Sequence, residues 1–384
     1  MDSNVALILI IASILVITPH LSRLLQLPTA PIEIVLGSLL APLGFIVIGE
    51  DQGNVYFDLM AQVGFLYLMF LAGLEVNVKE ILNASRDYFI AAILFITVMV
   101  LLAIFMGYVL FGFDTIVTAA LPLISIGLLA TLSKEYGKSQ EWVKMAFYIG
   151  AIAEVLSITA ITVMEVWVAV GLGHELLLRM LYLVAYLAAV VGGYYLLRIV
   201  FWWNPEFKTK LMPTGDGKDQ DFRLAIGIFF GMVVVMKLLH LELAFGAFIA
   251  GLFISTFFHH KRELEHKMSS FGFGFLVPIF FIHVGASFDY GYFLLAIGTA
   301  LEIFVVMMVA RLLASLILHR LIGVRHSVLT ALSLSMPLTL LVAAATIGFD
   351  KGILKEIPYY GIILASLLEV ILSMIAIKVI ARRR

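Results

Sequence analysis

The sequence predicts an all-α polytopic membrane protein of about thirteen transmembrane helices in two inverted-topology repeats, with a paired helix break in each repeat. Three observations carry that expectation. Hydrophobic residues make up 62% of the chain and charged residues 13%, with a mean hydropathy of +1.09, far outside the range of soluble domains. Apolar runs of about 17 to 25 residues recur along the whole chain, the length a helix needs to cross the hydrocarbon core. The second half also repeats features of the first. A shift of 215 residues superposes Pro122 on Pro337, Leu123 on Leu338, Ala130 on Ala345, Thr131 on Thr346, Glu154 on Glu369 and Val155 on Val370.

In chain order the expected spans are 4–19, 31–49, 58–74, 88–112, 115–133, 142–170, 175–200, 222–240, 243–258, 271–286, 291–318, 326–347 and 358–381. No basic residue precedes the first span in Met1-Asp2-Ser3-Asn4, so it reads as a retained helix and not a cleaved signal. The connection from Phe201 to Asp221, rich in Pro, Gly and charge, reads as a cytoplasmic linker. The organisation expected is one membrane domain: repeat one at 1–170, a linking helix and loop at 175–221, and repeat two at 222–384.

Charge distribution orients the chain. When connections are assigned alternately to two sides, about 20 of the 25 Lys and Arg fall on one side, which places the N-terminus outside and the C-terminus in the cytoplasm. Gly37-Ser38-Leu39-Leu40-Ala41-Pro42 also resembles Gly246-Ala247-Phe248-Ile249-Ala250-Gly251, at a slightly different offset. The repeats begin seven spans apart, and an odd displacement inverts the second copy.

The breaks are expected at Pro122 and Pro337, each in a stretch with hydroxyl residues. Proline removes a backbone donor and clashes with the preceding turn. The freed backbone groups either form an ion site or accompany a simple kink.

Three ionisable groups lie at membrane depth: Glu154 in the apolar stretch from Trp142 to Val170, Arg311, and Glu369. Such groups are costly in hydrocarbon and point to function. Arg311 requires an anionic partner or water because its guanidinium stays charged. Glu154 and Glu369 are both candidates, and a purely structural salt bridge is the alternative for either. A single buried carboxylate can hold a proton or a small cation, and that competition alone produces exchange. Ser157 one turn beyond Glu154, with Ser125, Thr131 and Thr339 in the broken spans, are candidate oxygen ligands for a hard monovalent cation, although membrane hydroxyls often bond their own backbone.

Other polar residues point elsewhere. Glu33, Glu75, Glu165 and Glu302 lie near span ends and read as interfacial anchors or access groups. His259, Glu263 and His266 have the spacing of a metal site on one helix face, but sit in the charged stretch HHKRELEHK, which reads as a solvated connection. His240 and His283 show no partner and read as packing residues. The chain has no cysteine, hence no disulfide or thiol nucleophile. It also lacks a phosphate loop, hydrolase elbow or zinc-protease motif, so neither an enzyme nor a cofactor is expected, and no nucleic-acid partner.

The segments LPTAPIEIVLGSLLAPLG, FLYLMFLAGLEVNVKEI, GAFIAGLFIS and FLVPIFFIHVGASFD, spread over nearly the whole chain, resemble the cation:proton antiporter-2 family of bacterial sodium/proton and potassium-efflux antiporters. The resemblance implies a homodimer in the bacterial inner membrane. It also implies thirteen helices with two crossing broken helices, and exchange of sodium or potassium for protons by an elevator-like shift. Aligned along MAFYIGAIAEVLSI, the family's ion-binding acidic pair falls on Ala153-Glu154, and its intramembrane basic residue, usually Lys, on Arg311. Both are departures: Ala153 supplies no second polar group, Glu154 is a methylene longer than Asp, and Arg311 cannot release a proton. One titratable carboxylate beside a fixed cation implies electroneutral exchange of one cation per proton. The chain ends at Arg384, so the cytoplasmic nucleotide-binding domain of some family members is not expected. A non-transporting sensor or structural subunit with a degenerate site, and an organic-anion symporter on a related fold, are the competing expectations.

Overall fold

Within hydrocarbon a chain must bond its own backbone polar groups, and long apolar runs therefore fold as helices. The computed structural model describes residues 3–25, 27–41, 55–76, 85–126, 128–137, 139–171, 173–204, 219–258, 262–287, 290–350 and 352–382, and every regular element among them is helical. In order these are α1 (Ser3–Leu25), α2 (Thr29–Leu40), α3 (Val55–Glu75), α4 (Arg86–Ile104), α5 (Thr115–Ala120), α6 (Leu129–Tyr136), α7 (Glu141–Val170) and α8 (His174–Trp203). They continue as α9 (Gln220–Leu238), α10 (Leu243–Phe258), α11 (Arg262–Phe271), α12 (Val277–Ala286), α13 (Tyr290–Ser315), α14 (His319–Leu334), α15 (Leu338–Asp350) and α16 (Glu356–Arg382). A wider helical turn at Phe105–Leu110 extends α4, and another at Gly272–Leu276 joins α11 to α12.

Each expected span falls on helix among the described residues, the second only as far as Leu40 and the fifth and twelfth with interruptions around Pro122 and Pro337. Among the described residues eight helical stretches are long and apolar enough to cross a membrane, and the chain is a multi-pass membrane protein. The expected linker lies largely outside the described residues, as do His259 and the side chain of Glu165. The connection expected at HHKRELEHK is helical from Arg262 onward, with Glu263, Glu265 and His266 exposed and Leu264 and Met268 buried one turn apart on the other face.

The chain clusters into two compact units, one of Met1–Gln62, Lys79–Ile158 and Pro278–Arg384, the other of Val63–Val78 and Thr159–Val277. In the first, α16 packs against α13, α14 and α15, and α13 also packs on α4. Local signals set the ends of its helices. Asp114 accepts the Val117 amide at 2.9 Å to cap α5, and Gly137, at φ 89, ends α6 in the left-handed region that favours glycine.

Glycines allow two close helix crossings. In the first unit α2 meets α12, where Gly37 abuts the Ile282 carbonyl and Gly285 the Ile34 carbonyl. In the second unit α3 meets α10, where Gly73 abuts the Phe248 carbonyl and Gly251 the Phe70 carbonyl. The pairs are equivalent under the repeat, Gly37 to Gly251 and Gly73 to Gly285, at separations of 214 and 212 residues. This corrects the sequence alignment of Gly37 with Gly246, which instead lies against Met232. The repeat therefore keeps nearly the same spacing throughout.

These contacts make a direct test. A methyl group at Gly285 would overlap backbone, whereas one at Gly298 meets open space. Gly285→Ala is expected to lose most of the monodisperse protein in fluorescence-detected size exclusion, at a cost on the order of 1–3 kcal/mol, while Gly298→Ala runs as wild type.

Candidate ion-binding site

Helix α5 ends at Ala120 because Pro122 has no N–H to continue it. The Leu123 amide turns back to the Ala120 carbonyl at 3.2 Å, and the Leu129 amide reaches the Ile126 carbonyl at 2.8 Å as α6 begins. From Leu121 to Ile126 the chain is non-helical and, apart from half-buried Pro122, buried, so its polar groups need partners from other elements.

Helix α7 supplies two of them. Gly150, Glu154 and Ser157 recur at i, i+4 and i+7 and share one helix face. The Ile126 amide and the Ser125 hydroxyl donate to the two oxygens of the Glu154 carboxylate, the latter at 3.2 Å. The Ile124 amide donates to the Ser157 hydroxyl oxygen at 3.1 Å. A side chain at Gly150 would collide with Ile126, so the bare α-carbon lets α7 seat that residue. Ala153, buried beside the carboxylate in sequence, adds no polar group.

The second break has the same cause. Helix α14 ends at Leu334, Ser335 to Pro337 are non-helical, and α15 opens at Leu338 directly after the proline. Thr339, in the first turn of α15, lies 3.0 Å from the Ser125 hydroxyl, so the two breaks meet at a pair of hydroxyls. The Ser373 hydroxyl of α16 donates to the Ser335 carbonyl at 3.2 Å.

The choice left open for Arg311 is resolved. Its Nη1 donates to Glu369 Oε1 at 2.8 Å and its Nη2 to the Leu123 carbonyl at 2.7 Å. The partner is therefore Glu369, and the guanidinium also reaches the first break. All three ionisable side chains, Glu154, Arg311 and Glu369, are fully buried.

Of the sequence-predicted residues, Glu154, Ser125 and Thr339 form one connected cluster, and Ser157, Arg311, Glu369, Pro122 and Pro337 support the breaks around it. The side chain of Thr131 lies outside the described residues. Three participants at the first break were not expected from the sequence, the Ile124 and Ile126 amides and the Leu123 carbonyl. They are backbone groups, and the only signal for them was Pro122.

Two further expectations are corrected. Glu33 is not an interfacial anchor: α2 begins at Thr29 and buries Ala30 to Ile34, leaving Glu33 4% exposed. His283 has a partner, Asp58 of α3, at 2.9 Å, which 225 residues of intervening sequence concealed. Among the described residues no group of His, Asp and Glu has the arrangement of a metal site.

The cluster can solvate a charge without water. Two donors aimed at one carboxylate replace part of its hydration, and hydroxyl and carboxylate oxygens are the ligands a hard monovalent cation takes. The same oxygens can instead take a proton.

The sequence profile of a family described as "Sodium/hydrogen exchanger, transmembrane" matches residues 9–383. Among curated proteins the chain is similar to the "Putative Na(+)/H(+) antiporter YjbQ" of Bacillus subtilis (strain 168), 25% identical over 409 residues. That match covers 99% of this chain and 63% of the relative, so the chain spans a little under two thirds of the relative's length. Among solved structures it is similar to the sodium proton antiporter MjNhaP1 from Methanocaldococcus jannaschii at pH 8, with a TM-score of 0.70 and 16% identity, over 97% of this chain and 99% of that one. That likeness is one of fold.

Proposed function

The chain belongs to the sodium/hydrogen exchanger family, and from that premise we propose that it is a secondary antiporter exchanging sodium or potassium for protons across the membrane. The observation that carries the reading is the buried carboxylate of Glu154, held at two meeting helix breaks by the Ile126 amide and the Ser125 hydroxyl. Glu154 is the carrier, and Ser125 and Thr339 are the oxygen ligands that join it when a cation binds.

The coupling follows from electrostatics. A bare carboxylate resists transfer through a low-dielectric interior, whereas one neutralised by a proton or a cation does not. Movement of the site is therefore restricted to its loaded forms, and each cation carried one way is matched by a proton the other way. Because both ligands use the same oxygens, the apparent affinity for the cation falls as the proton concentration rises. Arg311 keeps its charge through the cycle, balanced by Glu369. With no second titratable carboxylate at Ala153, the exchange is one for one and electroneutral.

Alternating access by an elevator-like shift of the helices bearing the breaks, in a homodimer, belongs to the same proposal. So does a bacterial inner-membrane location with the N-terminus outside, which the one-sided Lys and Arg distribution supports.

Proteoliposomes with a trapped pH dye and a potential-sensitive dye test the reading. Addition of sodium, lithium or potassium is expected to dissipate an imposed pH gradient with no accompanying potential. A potential generated from a pure pH gradient would overturn the stoichiometry. Failure of all three cations to move protons would overturn the function.

A further inference from the structure

We propose that Ser157 is a positioning residue: it holds the unwound chain against α7 through the Ile124 amide and thereby sets where the Ile126 amide and the Ser125 hydroxyl meet Glu154. The sequence singled out this hydroxyl as a ligand for the transported cation. Its geometry points to a different use, because its oxygen faces a backbone donor in the broken segment.

Three contacts fix the segment along one face of α7. Gly150 leaves room for the Ile126 side chain, Glu154 takes the Ile126 amide, and Ser157 takes the Ile124 amide. The Glu154 contact is the one a cation or a proton must alter, since its oxygens are the reactive groups. Gly150 contributes only space. Ser157 is therefore the polar attachment to α7 that persists while Glu154 changes its load. Ile124 and Ile126 are both fully buried, so an Ile124 amide deprived of its acceptor has no water to turn to and the segment must shift to satisfy it. A shift of the chain at Ile124 moves Ser125 and Ile126 with it.

A ligand and a positioning group respond differently to substitution. A coordinating oxygen contributes unequally to lithium and sodium, whose radii differ. A group that acts through the Ile126 amide and the Ser125 hydroxyl affects every cation that needs Glu154.

The test compares Ser157→Ala with Ser157→Thr, which keeps the acceptor oxygen. In reconstituted full-length protein, Ser157→Ala is expected to raise the apparent KM for sodium and for lithium by about tenfold each, with their ratio unchanged within about twofold, and Ser157→Thr to restore both. In parallel, amide hydrogen exchange over residues 121–128 is expected to accelerate by about tenfold in Ser157→Ala and to return to the wild-type rate in Ser157→Thr. The transport arm rests on Glu154 as the carrier. The exchange arm needs no transport and separates failure of this proposal from failure of that reading. Should Ser157→Ala not yield folded protein, Ser157→Cys, with its weaker acceptor, serves the same measurement with an intermediate acceleration. Unchanged exchange over 121–128, or a lithium to sodium ratio altered several-fold, would overturn the assignment.

Discussion

Replacing Glu154 with Gln is expected to abolish cation/proton exchange while leaving the protein folded. Gln has nearly the same shape, and its carbonyl oxygen can still accept the Ile126 amide that Glu154 now accepts. The first break therefore keeps this attachment to α7 as well as the one at Ser157. What disappears is the negative charge and the ability to take up a proton. Loss of a charge–charge contact in a buried site is worth several kcal/mol, so the exchange rate should fall by at least about 100-fold, which is roughly 2.7 kcal/mol. Glu154→Asp makes the complementary case. It keeps the charge but withdraws the carboxylate by one methylene from Ser125 and Ile126, and is expected to transport with altered lithium, sodium and potassium preference. Both are read by pH-dye dequenching in proteoliposomes, with size exclusion to confirm folding. Transport by Glu154→Gln at the wild-type rate would remove this residue from the carrier role.

The parts of this architecture that were legible in the sequence depend on local information. A membrane-spanning helix is announced by its own hydropathy and length, and the breaks at Pro122 and Pro337 by a residue that cannot donate a backbone hydrogen bond. The scarcity of charge within long apolar runs was legible too, which is why Glu154, Arg311 and Glu369 stood out. Rotation about the helix axis was not. Whether Arg311 faced Glu154 or Glu369 depends on how α13 packs against α16, and no residue pattern along either helix encodes that. The same gap hid Asp58 behind His283 and misplaced Glu33, whose burial follows from α2 beginning only one turn earlier. The Ile126 amide and the Leu123 carbonyl were illegible for another reason: any residue provides them, and only the break exposes them. The site is thus half side chain and half backbone, and a sequence reports mainly the first half.

The Arg311–Glu369 pair separates folding from function in a measurable way. Removing Arg311 leaves a carboxylate without its cation in a fully buried position, where breaking such a pair costs about 3–5 kcal/mol. Removing Glu369 is expected to be worse, because a carboxyl group can take a proton and become neutral whereas a guanidinium cannot. Thermal melting by size exclusion should therefore rank wild type above Arg311→Ala, and Arg311→Ala above Glu369→Ala. Replacing both partners with apolar residues of similar volume, as in Arg311→Met with Glu369→Leu, should recover most of the stability, since a buried pair exchanged for good packing is often neutral or better. Transport should not recover with it. Arg311 also donates to the Leu123 carbonyl, and Met offers no donor there, so the broken segment loses one of its attachments even when the surrounding helices are stable. A double variant that regained both its melting temperature and its exchange rate would show that the arginine only holds α13 to α16. One that regained the first alone would tie its second hydrogen bond to the geometry around Glu154.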